Sequence, residues 1–384
     1  MGRTLITGLR PDCTVVFGID EVTSPPGSGF LERSLVEWAA MVRAILLTSL
    51  LPFLVGAADF TVGSATAPSG QKATGYIAVP AGVDAAASIP VMVVNGARPG
   101  PVLALVAGSH GTEYASILAL QKLAQVADPA ELSGTLIILP LINVPSFAQK
   151  VPHLNPVDGK NMNRFYPGKP DGTQTERVSW AIAKQVVEKC DYLIDLHGGD
   201  LDENLRRYSY LATTGKESQD AASRAMVLAF GLDHIIRQDF RTPVAPGGTV
   251  TLTRYAAGLG KPCVAAEAGH AGVSDAEDVD SLIQGCRDVA RHLKMLSGPV
   301  AMVEHPLWLS RVSVVTSELD GVFYPLVGPE RYVSQGMKIG YVTDYFGNKI
   351  WDATSPIAGV VLYIGAVPSL KKGDTIAHIG EIEK

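Results

Sequence analysis

From Thr74 to about Leu296 the chain repeats one unit, a short apolar run bounded by glycine or proline and then a stretch with helical spacing. That repeat constrains the fold more than any other feature. "IPVMVVNG" (Ile89–Gly96), "PVLALVAGS" (Pro101–Ser109), "GTLIILPLINV", "DYLIDLHGG" (Asp191–Gly199) and "KPCVAAEAG" (Lys261–Gly269) are apolar over most of their length. A strand covered on one face alternates apolar with polar residues, so these runs read as strands buried on both faces. Between them, Ile117, Leu120 and Ala124 share one helical face, as do Val178, Ile182 and Val186. Ser274 and Glu277 are spaced as a capping box for a helix expected to run to about Leu296. Strands alternating with helices predict an α/β fold, a mostly parallel sheet flanked by helices.

After "SGP" (Ser297–Pro299) the texture changes to short strands and glycine turns without helical period. "GVFYPLV…SQGMKIGYV" from Gly321 is loosely echoed by "GVVLYIG…KKGDTIAHI" from Gly359. Two similar β-halves around the "YFGNKIW" hairpin predict a small all-β, barrel-like domain that resembles a biotinyl/lipoyl-type fold. Lys349 beside that hairpin reads as a solubilising turn residue rather than a carrier lysine. The expected division is a leader over 1–57, a catalytic domain over 58–298 and a β-rich domain over 299–384.

The leader has its own signature. Residues 1–40 show no clear period; Met41, Arg43, an apolar run from Ala44 to Val55 and small residues around Ala57 then follow the layout of a secretory signal peptide. Val55 and Ala57 occupy the cleavage positions, which makes residues 1–40 the product of a misassigned start. The alternative is a buried helix near the N-terminus. If Met41 is the true start the mature chain is expected to be periplasmic or secreted, and otherwise cytoplasmic. No run of eighteen apolar residues occurs, so no stable membrane span is expected. A formal net charge of −6 carries no basic excess and argues against nucleic acid as a partner. Cys190, Cys263 and Cys286, each in apolar surroundings, read as buried thiols rather than a disulfide framework.

The polar residues that close the apolar runs carry the chemistry. His110 follows one buried strand and Glu113 opens the next helix, which puts both at the carboxyl edge of a parallel sheet, where α/β folds hold ligands. His197 ends another buried strand and is the expected third ligand. Two histidines and a glutamate with an open fourth position are a catalytic zinc set. Asp195, two residues before His197 and on the same strand face, is placed to orient that imidazole. Glu267 ends a further apolar strand, where a carboxylate is costly unless it is paired or working. It is the candidate general base, the alternative being an ion pair with an arginine. His270 is a further polar group of this region, with a loop residue as the simpler reading. In the long loop Asn155–Glu176, Asn163 and Arg164 offer an amide beside a guanidinium, a pair suited to a substrate carboxylate.

"GSHGTE", "DGKNMNRFYPG", "DLHGG" and the E-x-G of "AEAG" occur in the order seen in the succinylglutamate desuccinylase/aspartoacylase family, a branch of the zinc carboxypeptidase-like hydrolases. The likeness covers roughly residues 75–384, because those proteins also end in a small β-domain. The resemblance implies a zinc amidohydrolase, with one Zn²⁺ per chain, that cleaves an N-acyl amino acid or a related small carboxylated amide. His110, Glu113 and His197 would hold the zinc, Asn163 and Arg164 would bind the substrate carboxylate, and Glu267 would be the base. Relatives often carry an arginine ahead of the D-G-K-N segment; here "FAQKVPHLNPVDG" supplies only Lys150 and His153, so His153 is the substitute on offer for the scissile carbonyl. Arg241 and Arg254 are candidates for further substrate contacts. Two other readings stay open, an exported carboxypeptidase acting on short peptides and a non-catalytic binding protein on the same scaffold. Assembly into a homo-oligomer is compatible with each.

Overall fold

A computed structural model describes residues 58–383, and the leader expected over 1–57 lies outside the described residues. Nineteen strands are found among those residues. β1 (Phe60–Val62), β2 (Ala65–Ala67), β3 (Gln71–Val79), β4 (Ala87–Asn95), β5 (Arg98–Ala107) and β6 (Ser133–Leu139) come first. β7 (Tyr192–His197), β8 (Glu203–Leu205), β9 (Tyr208–Thr213), β10 (His234–Asp239) and β11 (Cys263–Glu267) follow, interleaved with helices. The C-terminal strands are β12 (Leu307–Thr316), β13 (Gly321–Pro325), β14 (Tyr332–Val333), β15 (Lys338–Thr343), β16 (Lys349–Thr354), β17 (Gly359–Gly365), β18 (Ser369–Leu370) and β19 (Thr375–Ile382).

Most of these strands join one sheet in the order β14-β17-β19-β12-β10-β9-β11-β7-β5-β6-β4-β3. Its centre, β6-β5-β7-β11, is parallel, as the buried apolar runs require. The sheet is mixed beyond that centre: β11 pairs antiparallel with β9, and β4 antiparallel with both β6 and β3. Alternate residues of each central strand enter separate cores. Leu103, Leu105, Ile194, Leu196, Val264 and Ala266 pack under the helices Tyr114–Val126 and Ala276–His292. Ala104, Val106, Leu193 and Cys263 pack on the opposite face with Val178, Ile182 and Leu252. Coverage on both faces is why these strands read as continuous apolar runs and not as alternating ones.

The C-terminal region is antiparallel β structure, with a second sheet β16-β15-β13-β18 closing over a core of Phe323, Ile339, Val342, Val361, Ile364, Ile376 and Ile379. It is continuous with the large sheet, because β12 pairs parallel with β10 across the expected boundary at 298/299. A second stitch joins Tyr363–Gly365 of β17 to Glu203–Leu205 of β8, in the loop that follows His197. Among the described residues no helix is long and apolar enough to cross a membrane. Cys190, Cys263 and Cys286 are buried and free.

Candidate metal centre

Register places the polar residues. Asp195 of β7 sits beside Val106 of β5 and Ala265 of β11, and His197 sits beside Glu267. Ala265 and Glu267 in turn face Tyr210 and Tyr208 of β9. Residues two apart in a strand share a face, so one side of the sheet changes character along its length. It is apolar at Leu193 and Cys263, and polar at Asp195, His197 and Glu267 near the carboxyl ends.

The turn after β5 brings in the other two donors. Gly108 adopts a left-handed φ of 71° to make it. At Gly111 a Cβ would lie 2.2 Å from the Phe147 nitrogen, so only glycine fits that approach. His110 Nδ1 lies 2.6 Å from Glu113 Oε1, and His197 Nδ1 lies 3.0 Å from Glu113 Oε2. One donor atom from each of the three residues falls within 4.8 Å of the other two. Burial alone would raise the Glu113 pKa, but the flanking imidazoles of His110 and His197 outweigh it and pull it to about 2. Burial works against charge on His197, yet Asp195 and Glu113 together raise its pKa well above the ordinary value. Two nitrogens around an ionised carboxylate are the donor chemistry of a zinc site, and the residues present fit that ion.

Behind the ligands, His197 Nε2 lies 3.1 Å from Asp195 Oδ2 and 3.1 Å from Asn163 Nδ2. Neither Asp195 oxygen is hydrogen-bonded, so its hold on the imidazole is electrostatic at this distance. His110 Nε2 lies 3.2 Å from Asn161 Oδ1, which also accepts from the Asn163 amide. Glu267, Arg164, His110 and His197 open on one cavity of about 170 Å³, closed by Tyr210, Gln238, Thr251, Thr253 and Ala265. Burial pushes the Glu267 pKa well above the carboxylate range, and the His197 charge opposes that shift.

The other expected residues divide. Arg164 is exposed on the cavity rim, with Nη1 donating to the Asn163 carbonyl at 2.7 Å and its backbone pinned by Val250. The Asn163 amide is committed internally, because its Oδ1 accepts from Leu252 N at 2.8 Å while its Nδ2 faces His197. Of the pair expected to bind a carboxylate, the structure commits the Asn163 amide elsewhere and leaves the Arg164 guanidinium at the rim. His153 stands beside the centre, 6.1 Å from His110 between ring centroids. Its two nitrogens, however, face Asp200 Oδ2 at 3.2 Å and Asp202 Oδ1 at 3.0 Å. Burial would lower the His153 pKa, but the Asp202 hydrogen bond and the Asp200 charge raise it to about 9. Both of its nitrogens are thus taken by carboxylates, and it does not line the cavity.

Arg254 is not brought to the cavity. The helix Leu252–Gly258 turns it over the Phe240 ring, where Nη2 donates to the Thr242 carbonyl. Arg241 pairs with Asp239 in the same neighbouring hollow. His270 lies between Asp275 and Asp278 in a separate groove. Lys150 is exposed at the end of a short helix, and Lys349 pairs with Asp352 at 3.1 Å. Residues that sequence reasoning missed are Asn161, Asp200, Tyr210, Gln238, Thr251 and Thr253.

Residues 99–293 match the model of the succinylglutamate desuccinylase/aspartoacylase catalytic domain. The chain belongs to this family. It is 28% identical over 322 residues, 80% of this chain and 91% of the relative, to the N-alpha-acetyl-L-2,4-diaminobutyric acid deacetylase of Halomonas elongata. Among solved structures it is similar to a succinylglutamate desuccinylase from Silicibacter sp. TM1040, with a TM-score of 0.74, 25% identity and coverage of 83% of this chain and 98% of that one. The product-bound ectoine utilization protein EutE (DoeB) from Ruegeria pomeroyi gives a TM-score of 0.74 at 26% identity, with the same coverages. Homologues of this family member are thus deacylases, and they support a hydrolytic deacylase function here.

Proposed function

We propose that this chain is a zinc-dependent deacylase that hydrolyses the amide bond of an N-acyl amino acid. The observation that carries the reading is the convergence of His110, His197, Glu267 and Arg164 on one small cavity, with Glu113 bridging the two histidines. His110, Glu113 and His197 would hold the metal, one ion per chain. Zinc there supplies Lewis acidity that makes water a competent nucleophile near neutral pH. Glu267 takes the proton of the attacking water and returns it to the departing amine, a role that its burial favours by raising its basicity. Arg164 forks onto the substrate carboxylate and fixes the amide over the ligands. Asp195 holds the His197 ring by its charge at Nε2, opposite the nitrogen that faces Glu113.

The cavity of about 170 Å³ suits a small substrate, and its polar lining suits one with hydrogen-bonding groups. N-acetyl-2,4-diaminobutyrate, named for the Halomonas relative, is the first compound to test. A panel of N-acyl amino acids and short peptides, assayed for released amine with and without zinc, decides the reading. Zinc-dependent cleavage of acylated amino acids is expected. Preferential cleavage of peptides would make the chain a carboxypeptidase, and zinc uptake without any turnover would make it a binding protein. Residues 41–57 are the sole basis for proposing export, which N-terminal sequencing of the mature protein tests.

A further inference from the structure

Asp200 lies three residues beyond His197 and is fully buried, at 0% exposure. A carboxylate so placed is costly unless several donors satisfy it. Four do. Oδ1 accepts from the Thr112 hydroxyl and from Leu201 N, the latter at 2.8 Å. Oδ2 accepts from His153 N at 2.8 Å and faces His153 Nδ1 at 3.2 Å. These donors come from three separate segments, and each borders the metal centre. Thr112, itself wholly buried, sits between the ligands His110 and Glu113. Leu201 belongs to the loop that leaves His197, and His153 holds a left-handed φ of 59°, unusual for a residue with a side chain.

We infer that Asp200 is a positioning residue for the metal centre. It ties the His110–Glu113 turn to the loop after His197, and so fixes the separation of the donors carried by those two segments. Register sets His197 relative to Glu267, but no strand pairing constrains residues 110–113, which leave the sheet before they act. The Thr112–Asp200 hydrogen bond supplies that constraint. The backbone hydrogen bond from Asp200 N to Glu203 Oε2 at 3.1 Å extends it to β8, and through β8 to β17 of the C-terminal region. The assignment rests on the metal-centre reading above.

The test measures zinc affinity by competition with a chelator of known strength, alongside kcat and KM. Asp200→Asn should weaken zinc binding by about 10-fold or more, within the 10–100-fold range typical of groups that orient metal ligands. Its kcat should fall while KM holds, because Arg164 is untouched. Thr112→Val removes only the hydroxyl and should weaken zinc binding by a smaller factor, about 3-fold to 10-fold, with Thr112→Ser restoring it. The double variant should be no worse than Asp200→Asn, since both changes cut one connection. Wild-type zinc affinity in a folded Asp200→Asn protein would overturn the assignment. Should Asp200→Asn fail to fold, wild-type zinc affinity in Thr112→Val overturns it instead. A wild-type chain that takes up no zinc overturns the metal-centre reading itself, and this assignment with it.

Discussion

The two ends of β7 and β11 differ in what they are built to do, although they share a sheet face. At the amino ends Leu193 and Cys263 are fully buried among Ala104, Val106 and Leu252. At the carboxyl ends, on that same face, Asp195, His197 and Glu267 bring ionisable groups to a cavity. The apolar end is held by packing in a buried core. The polar end places carboxylates where burial penalises them, and only a bound cation or a moving proton gives that cost a use. The strand is therefore a rigid arm, anchored at one end so that the other can hold side chains the fold would otherwise reject.

Substitutions at the two ends should separate into losses of function and losses of stability. The largest effect is expected at His197→Gln, which removes a ligand nitrogen. Zinc content should fall from about one per chain to near zero after dialysis, and deacylation with it, as elemental analysis and amine release will show. Next comes Arg164→Lys, which trades a planar fork for a point charge. KM should rise about 10-fold to 100-fold, equivalent to about 1.5–3 kcal/mol for a hydrogen bond to a charged group, with zinc content unchanged. Leu193→Ala, at the apolar end of the strand that carries His197, should cost about 2–5 kcal/mol of stability in denaturant unfolding while kcat stays near wild type.

The smallest effect concerns two histidines in contrasting settings. His153, clasped by Asp202 and Asp200, has its pKa raised to about 9, whereas burial lowers that of His378, packed on Tyr363, to about 4. A raised pKa adds stability that is complete below about 6.5 and lost as pH climbs through about 9. A lowered pKa on a buried neutral histidine adds stability that is complete above about 6.5 and lost as pH falls through about 4. The two together place a maximum near pH 6.5 in the unfolding midpoint. His153→Gln should flatten the alkaline limb, and His378→Gln the acid limb while leaving the alkaline limb in place. His153 is more than a third exposed, so solvent screening keeps its share modest.

What the sequence disclosed follows the same division. Apolar runs ended by His197 or Glu267 stand out because a polar residue closing a buried strand is expensive, and register then brings such residues together. Asp200 and Thr112 gave no such signal, since an aspartate and a threonine in loops are usually solvated and their partners lie 88 residues apart in the chain. Tyr210 and Gln238 faced the cavity through strand register that no local pattern reveals. Arg254 was expected at the site from its nearness to Glu267 in the chain, but helical geometry sends Thr251 and Thr253 to the cavity and Arg254 to the other side. The change of texture after Pro299 was legible. The pairing of β12 with β10 and of β17 with β8 was not, because strand partners distant in sequence leave no trace in either strand alone.

On the function proposed above, the carboxyl ends of these strands form a hydrolytic zinc site with Glu267 as its base. Glu267→Gln keeps the shape of the side chain and removes its basicity, so paired measurements of zinc content and amine release on this variant and the wild type test the claim most directly. We expect one zinc per chain in both proteins and a loss of turnover of about 10²-fold to 10⁴-fold in the variant. Turnover within a fewfold of wild type in a zinc-loaded Glu267→Gln protein would contradict it.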